Sequence, residues 1–180
     1  MDNILKISVA DSDLKAAQKI YDNLPEDVKE NGYNNKSYRK GNFLLQSILC
    51  EIIVKECLGE GAEIKNMRDY DIICNGETID VKCKPNSDKE PQPYWNASIP
   101  AYQLKIQDCH GYIFARINRD MTTVWILGII SKKDFKMWCK YAKEGSNDGK
   151  WQWAVNSYYV KLNKLRPIED YKNGQYKLNV

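Results

Sequence analysis

Residues 70–84, with the sequence YDIICNGETIDVKCK, decide the fold of this chain. Asn75-Gly76 stands between two runs rich in β-formers, and this pair favours a type I′ turn because both central positions of that turn need a positive φ. A two-residue turn fixes the register of its hairpin, so counting outward from it predicts which residues face each other. On this register Asp71 lies directly opposite Asp80.

Alternation along the two strands separates an apolar face from a polar face, because successive side chains point to opposite sides of a sheet. The apolar face contains Tyr70, Ile72, Cys74, Ile79, Val81 and Cys83, and the polar face contains Asp71, Ile73, Thr78, Asp80, Lys82 and Lys84. Directly opposed Cβ atoms are about 5 Å apart, so the two carboxylates repel each other unless a positive group lies between them. We therefore expect the polar face to be open to solvent and to hold a divalent cation, with Lys82 as a second positive group.

The pattern on this hairpin resembles the PD-(D/E)XK nuclease superfamily. In that superfamily an Asp on one strand and an (Asp/Glu)-X-Lys sequence on the next strand hold Mg²⁺ at the scissile phosphate. Asp71 matches the first Asp, and Asp80-Val81-Lys82 matches the second element with Asp in place of the commoner Glu. Tyr70 stands where the superfamily motif has Pro. The tripeptide is short, so its place on a register-fixed hairpin carries the resemblance.

The resemblance implies a Mg²⁺-dependent deoxyribonuclease that hydrolyses phosphodiester bonds in DNA, with Mn²⁺ as a substitute metal. It implies that Asp71 and Asp80 bind the metal through oxygen ligands, which Mg²⁺ prefers. It gives Lys82 the role of orienting or deprotonating the attacking water, and it makes Glu51 a further ligand of metal or water. Lys84 lies on the same face as Lys82 and is expected to hold a neighbouring phosphate.

A long helix is predicted over residues 41–58, closed by Gly59 in a left-handed conformation. Glu51 lies at the edge of its predicted apolar stripe. In the resembling superfamily a helix before the hairpin supplies a Glu that orients the attacking water, and Glu51 is the candidate for this position. Glu56 and Gln46 are alternatives, and an ordinary carboxylate at the border of the core is another interpretation of Glu51.

Three polar residues outside the hairpin are candidates for substrate contact. Arg39 and Lys40 precede the long helix and could reach a phosphate, although solvation at the surface is the commoner role of such a pair. Gln103 lies on a helix predicted to begin at Ile99, after the D-X-K strand, where several nucleases of the superfamily place Gln or Lys. An exposed helix amide is the alternative interpretation of Gln103.

The order of helix, three strands, helix and strand predicts an α/β (α+β) fold with a restriction-endonuclease-like core, in which helices flank a mixed central sheet. Residues 112–117 and 124–130 are apolar runs typical of strands covered on both faces. We expect one nuclease-like domain over residues 1–180, with the catalytic core in 38–131 and elaborations in 1–37 and 132–180. Residues 85–93 are predicted as a loop, and residues 132–143 as a helix capped by Ser131.

Composition narrows the class of protein. With 180 residues, 43% of them hydrophobic, the chain is long enough for one globular domain that folds without a partner. We expect no membrane contact and a cytoplasmic location, because there is no long apolar run and no basic-then-apolar leader. The six cysteines are expected to be reduced core thiols, and a single histidine disfavours zinc sites and nucleophilic triads. The net charge of +3 permits binding of nucleic acid without demanding it.

Two other classes remain open on the sequence alone. One is a catalytically silent nucleic-acid-binding or nuclease-inhibiting module, and the other is a structural domain in which Asp71 and Asp80 form surface salt bridges worth little in stability. If the nuclease interpretation holds, Asp80→Asn should abolish cleavage and leave the metal-free stability unchanged or raised, because it removes carboxylate repulsion. Many relatives act as two-fold pairs that cut both strands, which leaves a homodimer open.

Overall fold

The computed structural model describes residues 4–31, 42–65, 69–87, 89–149 and 151–178 of the chain. Its strands are β1 (Leu5–Ser8), β2 (Ala62–Ile64), β3 (Ile72–Cys74), β4 (Glu77–Asn86), β5 (Asn96–Pro100), β6 (Gly111–Asn118), β7 (Thr123–Ser131), β8 (Lys140–Ala142), β9 (Asn147–Asp148), β10 (Trp151–Gln152) and β11 (Ser157–Lys161). Its helices are α1 (Asp11–Asp22), α2 (Glu26–Asn31), α3 (Asn42–Leu58), α4 (Ala101–Ile106), α5 (Lys132–Trp138) and α6 (Ile168–Lys172), with a 3₁₀ turn at Leu162–Lys164. The predicted α/β class is confirmed.

A six-stranded mixed sheet forms the centre of the fold. Its strands lie in the order β1-β7-β6-β4-β3-β2, and β4 pairs with β6 in parallel while the other neighbours are antiparallel. The strands β6 and β7 are buried on both faces, as their apolar runs predicted. Helices and a small second sheet cover the two faces of this central sheet.

The predicted hairpin is confirmed in its turn and in its register. Asn75 and Gly76 have φ of 50° and 80°, so both central positions lie in the left-handed region that this turn requires. The ladder pairs Ile72 with Ile79, Ile73 with Thr78 and Cys74 with Glu77. Because the turn is local, two residues were sufficient to fix the whole ladder.

Helix α3 covers Asn42–Leu58 within the described residues and ends at the predicted residue, followed by Gly59 with φ of 91°. The prediction of one apolar stripe was wrong, because α3 is buried on nearly all sides and encloses Gln46, Ser47 and Glu51 as well as its apolar residues. Helix α1 covers one side of α3 and the central sheet covers the other. The sheet residues that α3 contacts include Ile79 and Val81, which lie on the predicted apolar face of the hairpin.

A second layer covers the opposite face of the central sheet. It consists of the three-stranded sheet β5-β11-β8 with α4 and α5, and its core packs Ile99, Leu104 and Phe135 against Tyr112 and Phe114 of β6. The predicted polar face of the hairpin is therefore beneath a layer of protein.

Three boundaries differ from the sequence prediction in this second layer. Ile99 belongs to strand β5, so the helix that was predicted from it begins at Ala101. Residues 140–142 form strand β8, so α5 ends at Trp138 and not at residue 143. Strand β8 pairs with β11, and β11 is therefore the central strand of the small sheet. Strand β4 continues through Asn86, since β6 pairs with it as far as Asn118, so the loop begins two residues later than predicted. Pro85 is tolerated there because the short β3 no longer pairs with this part of β4.

All six cysteines are free thiols, and three of them, Cys50, Cys74 and Cys109, lie in the core as expected, whereas Cys57, Cys83 and Cys139 are half-buried. The Sγ atoms of Cys50 on α3 and Cys83 on β4 lie 2.6 Å apart in the core between helix and sheet. Within the parts of the chain that the structure describes, no helix is both long enough and apolar enough to cross a lipid bilayer.

The C-terminal segment docks on the central sheet at Gly128. Ile129 and Arg166 exchange two backbone hydrogen bonds of 2.8 Å, next to an irregularity in the pairing of β6 with β7. Gly128 has φ of 132°, and a Cβ atom on it would lie 2.5 Å from the backbone oxygen of Arg166. A side chain at this position therefore meets rigid backbone.

We expect Gly128→Ala to lower the free energy of unfolding by about 2–3 kcal/mol, because the added methyl separates the C-terminal segment from β7. Urea denaturation monitored by tryptophan fluorescence measures this loss. Gly145→Ala is the matched control, since Gly145 also has a positive φ but a Cβ there meets no atom within 4 Å. An equal loss in both variants would show that the backbone angle, and not the close approach, is responsible.

Candidate active site on the central hairpin

The backbone of Asp71 continues the register of the hairpin by one residue, which brings it opposite Asp80. Asp71 directly precedes β3, and its backbone N–H donates to the oxygen of Ile79 at 3.0 Å. The Oδ2 atom of Asp71 accepts a hydrogen bond of 2.7 Å from the backbone N–H of Val81. Asp71 is therefore held against β4 next to Asp80, one step beyond the last paired residues of the ladder.

Asp80 and Lys82 form a buried ion pair on the polar face of β4. Their exposed fractions are only 4% and 5%, and Lys82 Nζ lies 2.5 Å from Asp80 Oδ2. The expectation that this face is open to solvent was wrong, because α4 and β5 cover it. Asp71 remains partly exposed, so the pair lies one side chain away from the surface.

Two glutamines of the covering helix hold this ion pair in place. Gln103 Oε1 accepts a hydrogen bond of 2.9 Å from Lys82 Nζ, which places this predicted residue at the site. Gln107 Nε2 donates to Asp80 Oδ1 at 2.8 Å, and the sequence analysis did not name Gln107. Gln107 directly follows α4, one turn beyond Gln103, and this repeat of Gln at a spacing of four was the available signal.

The surroundings of Asp80 keep neighbouring groups neutral. Burial raises the pKa of the Cys109 thiol to about 11, and the negative charge of Asp80 adds to this effect. Burial also raises the pKa of Tyr112, with further contributions from Cys109 and Asp80. Neither group therefore supplies a nucleophile or a base near neutral pH.

Glu51 is buried in α3, and α3 packs against the face of β4 that carries Ile79 and Val81. Asp80 and Lys82 point to the other face of that strand. Among the described residues, no three side chains of His, Cys, Asp or Glu form a group that could hold a metal ion. Glu51 therefore does not join Asp71 and Asp80 in a three-carboxylate centre in this structure.

The remaining predicted residues are distributed as follows. Arg39 and Lys40 lie outside the described residues. Lys84 is on the same face as Lys82, two residues further along β4, and its ammonium donates to Ser98 Oγ of β5. Lys84 thus lies beside the ion pair, at the contact between the central sheet and the small sheet.

The oxygen atoms at this site suit a hard divalent cation in type and number. Mg²⁺ in proteins is commonly bound by one or two carboxylates and completes its shell with water and substrate oxygens. Asp71 and Asp80 are the carboxylates on the polar side of this hairpin, and Asp80 Oδ2 receives no hydrogen bond of good geometry from the described residues although Lys82 is close. These two side chains are therefore the ones that would hold a divalent cation here.

No protein-family model matches this chain. No curated protein matches it with significant sequence similarity either. The geometry of the hairpin and of its covering helix is consequently the basis for inferring a function.

Proposed function

We propose that this chain is a Mg²⁺-dependent nuclease that hydrolyses phosphodiester bonds in DNA, with a restriction-endonuclease-like core. The observation that carries the proposal is the juxtaposition of Asp71, Asp80 and Lys82 on two register-fixed strands, with Gln103 and Gln107 bound to the last two. A carboxylate pair next to a lysine can hold a metal ion, a phosphate and an attacking water together.

The order of elements supports the proposed core. Helix α3 is followed by the antiparallel meander β2-β3-β4, then by helix α4, and then by β6 in parallel with β4. This is the succession that the resemblance implied for residues 38–131. Strand β5 and the sheet it forms with β8 and β11 are then additions that cover the polar face.

The proposed roles follow from the contacts of each side chain. Asp71 and Asp80 would hold Mg²⁺, and Mn²⁺ would substitute for it. The metal would lower the pKa of a water molecule and offset negative charge on the phosphate. Lys82 Nζ would orient the attacking water or accept its proton, and Gln103 would keep Lys82 in position. Gln107 would keep Asp80 in its rotamer.

Two proposed contributions extend beyond this centre, and Glu51 has no part in them because α3 packs on the opposite face of β4. Lys84 would contact a phosphate next to the scissile one, and Arg39 and Lys40 would contact phosphates from the segment before α3. A cytoplasmic location and a homodimer are part of the same proposal, and six thiols without a disulfide fit a reducing compartment.

Cleavage assays test the proposal directly. The protein is incubated with supercoiled plasmid in Mg²⁺, in Mn²⁺ and in EDTA, and with labelled duplex, branched and single-stranded DNA and with RNA. We expect nicked or linear products with either metal and none in EDTA, because the aspartate pair needs a cation to bind the phosphate. Intact substrates under every metal condition would refute the nuclease.

A catalytically silent nucleic-acid-binding or interaction module is the second candidate. The burial of Asp80 and Lys82 favours it, because a buried carboxylate that already has a lysine as counter-charge needs no metal for neutralisation. This candidate predicts binding of DNA that is indifferent to Mg²⁺ and leaves the DNA intact. The same incubations, with binding measured by gel mobility, distinguish the two functions.

A further inference from the structure

Two cations at the contact between the sheets have no acidic partner. Lys84 of β4 and Arg116 of β6 are directly paired residues and point to the same face as Asp80 and Lys82. Lys84 donates to Ser98 Oγ, and Arg116 Nη2 donates to the backbone oxygen of Asn96 over a long 3.4 Å. Among the described residues, neither cation has an Asp or Glu oxygen within 4.0 Å.

A missing acidic partner is energetically unfavourable for Lys84 and Arg116, because both side chains are partly buried. Burial is the main cause that lowers the pKa of Lys84 to about 8, and the positive charges of Arg116 and Lys82 add to it. Burial also lowers the pKa of Arg116. A desolvated charge normally has a paired opposite charge. Here three cations, Lys82, Lys84 and Arg116, have one nearby carboxylate, that of Asp80, so a further anion could bind among them.

The two cations and their polar neighbours line a small cleft. Its polar residues are Lys82, Lys84, Asn96, Ser98 and Arg116, and its enclosed volume is about 10 Å³, room for about one water molecule. An oxyanion therefore reaches the two cations at the mouth of the cleft, where Lys84 and Arg116 are partly exposed. Most N–H groups of the Arg116 guanidinium have no acceptor within the described residues, and a guanidinium binds oxyanions through two parallel hydrogen bonds.

Access to the cleft is available from the surface. Lys84 and Arg116 are both partly exposed, and the Arg116 guanidinium lies 5.9 Å from the centre of the Trp95 ring, which is also partly exposed. Tyr94, the next residue, is 67% exposed. Trp95 is near the cleft through its contact with Arg116, and exposed aromatic side chains support single strands through base stacking.

We propose that the cleft between Lys84 and Arg116 binds one backbone phosphate of a nucleic acid strand. The anion site itself does not depend on cleavage, whereas its assignment to a strand that continues into the aspartate pair rests on the proposed nuclease function. Lys84 and Arg116 would hold the phosphate, and Trp95 and Tyr94 would contact the adjoining base or sugar. Inorganic phosphate offers the same oxyanion without a strand, so the two sources are compared in the test.

Binding is measured on the full chain in EDTA, so that no cleavage occurs. Fluorescence anisotropy follows a labelled 12-nucleotide single-stranded DNA, and thermal melting follows inorganic phosphate against chloride at equal ionic strength. The variants are Lys84→Met and Arg116→Gln, which remove one charge each, and Arg116→Lys, which keeps the charge without the fork. Lys15→Met is the control, because Lys15 is exposed on α1 on the far side of the central sheet.

We expect Lys84→Met and Arg116→Gln to weaken oligonucleotide binding by about tenfold each, with Arg116→Lys in between, and the control to change it little. Phosphate should raise the melting temperature of the wild-type chain and not that of the two charge-removing variants. Lys84→Met should melt at or above the wild-type temperature in chloride, since it removes an unpaired cation, and this shows that the variant is folded.

Two results would overturn the proposal. Oligonucleotide binding that is equal in the control and in both charge-removing variants would remove the phosphate site. A phosphate effect that is lost in the variants while oligonucleotide binding stays unchanged would show a site for a free anion only, against the backbone assignment. Absence of cleavage in Mg²⁺ together with Lys84-dependent binding would refute the nuclease and leave the phosphate site intact.

Discussion

Asp80→Asn is expected to abolish metal-dependent cleavage, by about a thousandfold or more, and to destabilise the metal-free protein by about 3 kcal/mol. The loss of cleavage follows from removing a proposed ligand of the metal. The loss of stability follows from the ion pair, because Lys82 is 5% exposed and its ammonium would keep only Gln103 as a partner. Plasmid cleavage and urea denaturation in EDTA measure the two effects separately.

The buried pair reverses one expectation from the sequence. Two carboxylates open to solvent repel each other. Replacing one of them by Asn should therefore have left the free energy of unfolding unchanged or raised. Beneath the second layer the dominant interaction of Asp80 is instead attraction to Lys82 at 2.5 Å. Destabilisation in EDTA therefore no longer identifies a purely structural salt bridge, and cleavage becomes the measurement that distinguishes the functions.

The double variant Asp80→Asn, Lys82→Met is the control for this prediction. It removes both charges, so no unpaired charge remains buried, and most of the lost stability should return while cleavage stays absent. A wild-type melting curve for Asp80→Asn alone would mean that the pair is not buried as described. Retained cleavage in that variant would exclude Asp80 from the proposed chemistry.

Phe135→Ala is expected to lower the free energy of unfolding by about 4 kcal/mol. Phe135 of α5 is fully buried, and its ring centre lies 5.6 Å from that of Tyr112 and 6.1 Å from that of Phe114. Truncation leaves a cavity between α5 and the central sheet, where the aromatic side chains have no room to close it. The midpoint of urea denaturation is the measurement.

Met137→Ala on the same helix provides the comparison, because Met137 is 65% exposed. We expect its effect to be within about 0.5 kcal/mol, as for most surface positions. If both variants were equally stable, the second layer would not be a packed part of the domain, and the burial of Asp80 and Lys82 would lose its explanation.

The local parts of the fold were predictable, and the parts that depend on distant pairing were not. Asn75-Gly76 determined the turn and the register of the hairpin, and apolar runs identified β6 and β7. Residues 140–142 were predicted to continue the preceding helix. They form a strand instead, because β11 pairs with them. No local pattern could show that residues 96–100 and 157–161 pair and cover the hairpin.

In the candidate site, too, the local features were predictable and those that depend on distant pairing were not. The positions of Asp71, Asp80 and Lys82 relative to one another follow from the hairpin alone. Gln103 was identified from its place after the D-X-K strand, whereas Gln107 was not, because it directly follows the last residue of α4. The isolation of Lys84 and Arg116 from acids depends on β4 and β6 being parallel neighbours, which the sequence of either strand does not reveal.

The two edge strands of the six-stranded sheet affect whether another chain can pair with this sheet. Its outer strands are β1, with four residues, and β2, with three. Both carry exposed charges, with Lys6 paired to Glu90 on β1 and Glu63 paired to Lys65 at β2. Short, charged edges resist strand addition and the aggregation that follows from it. A second copy is therefore expected to dock on another surface, and not to extend this sheet.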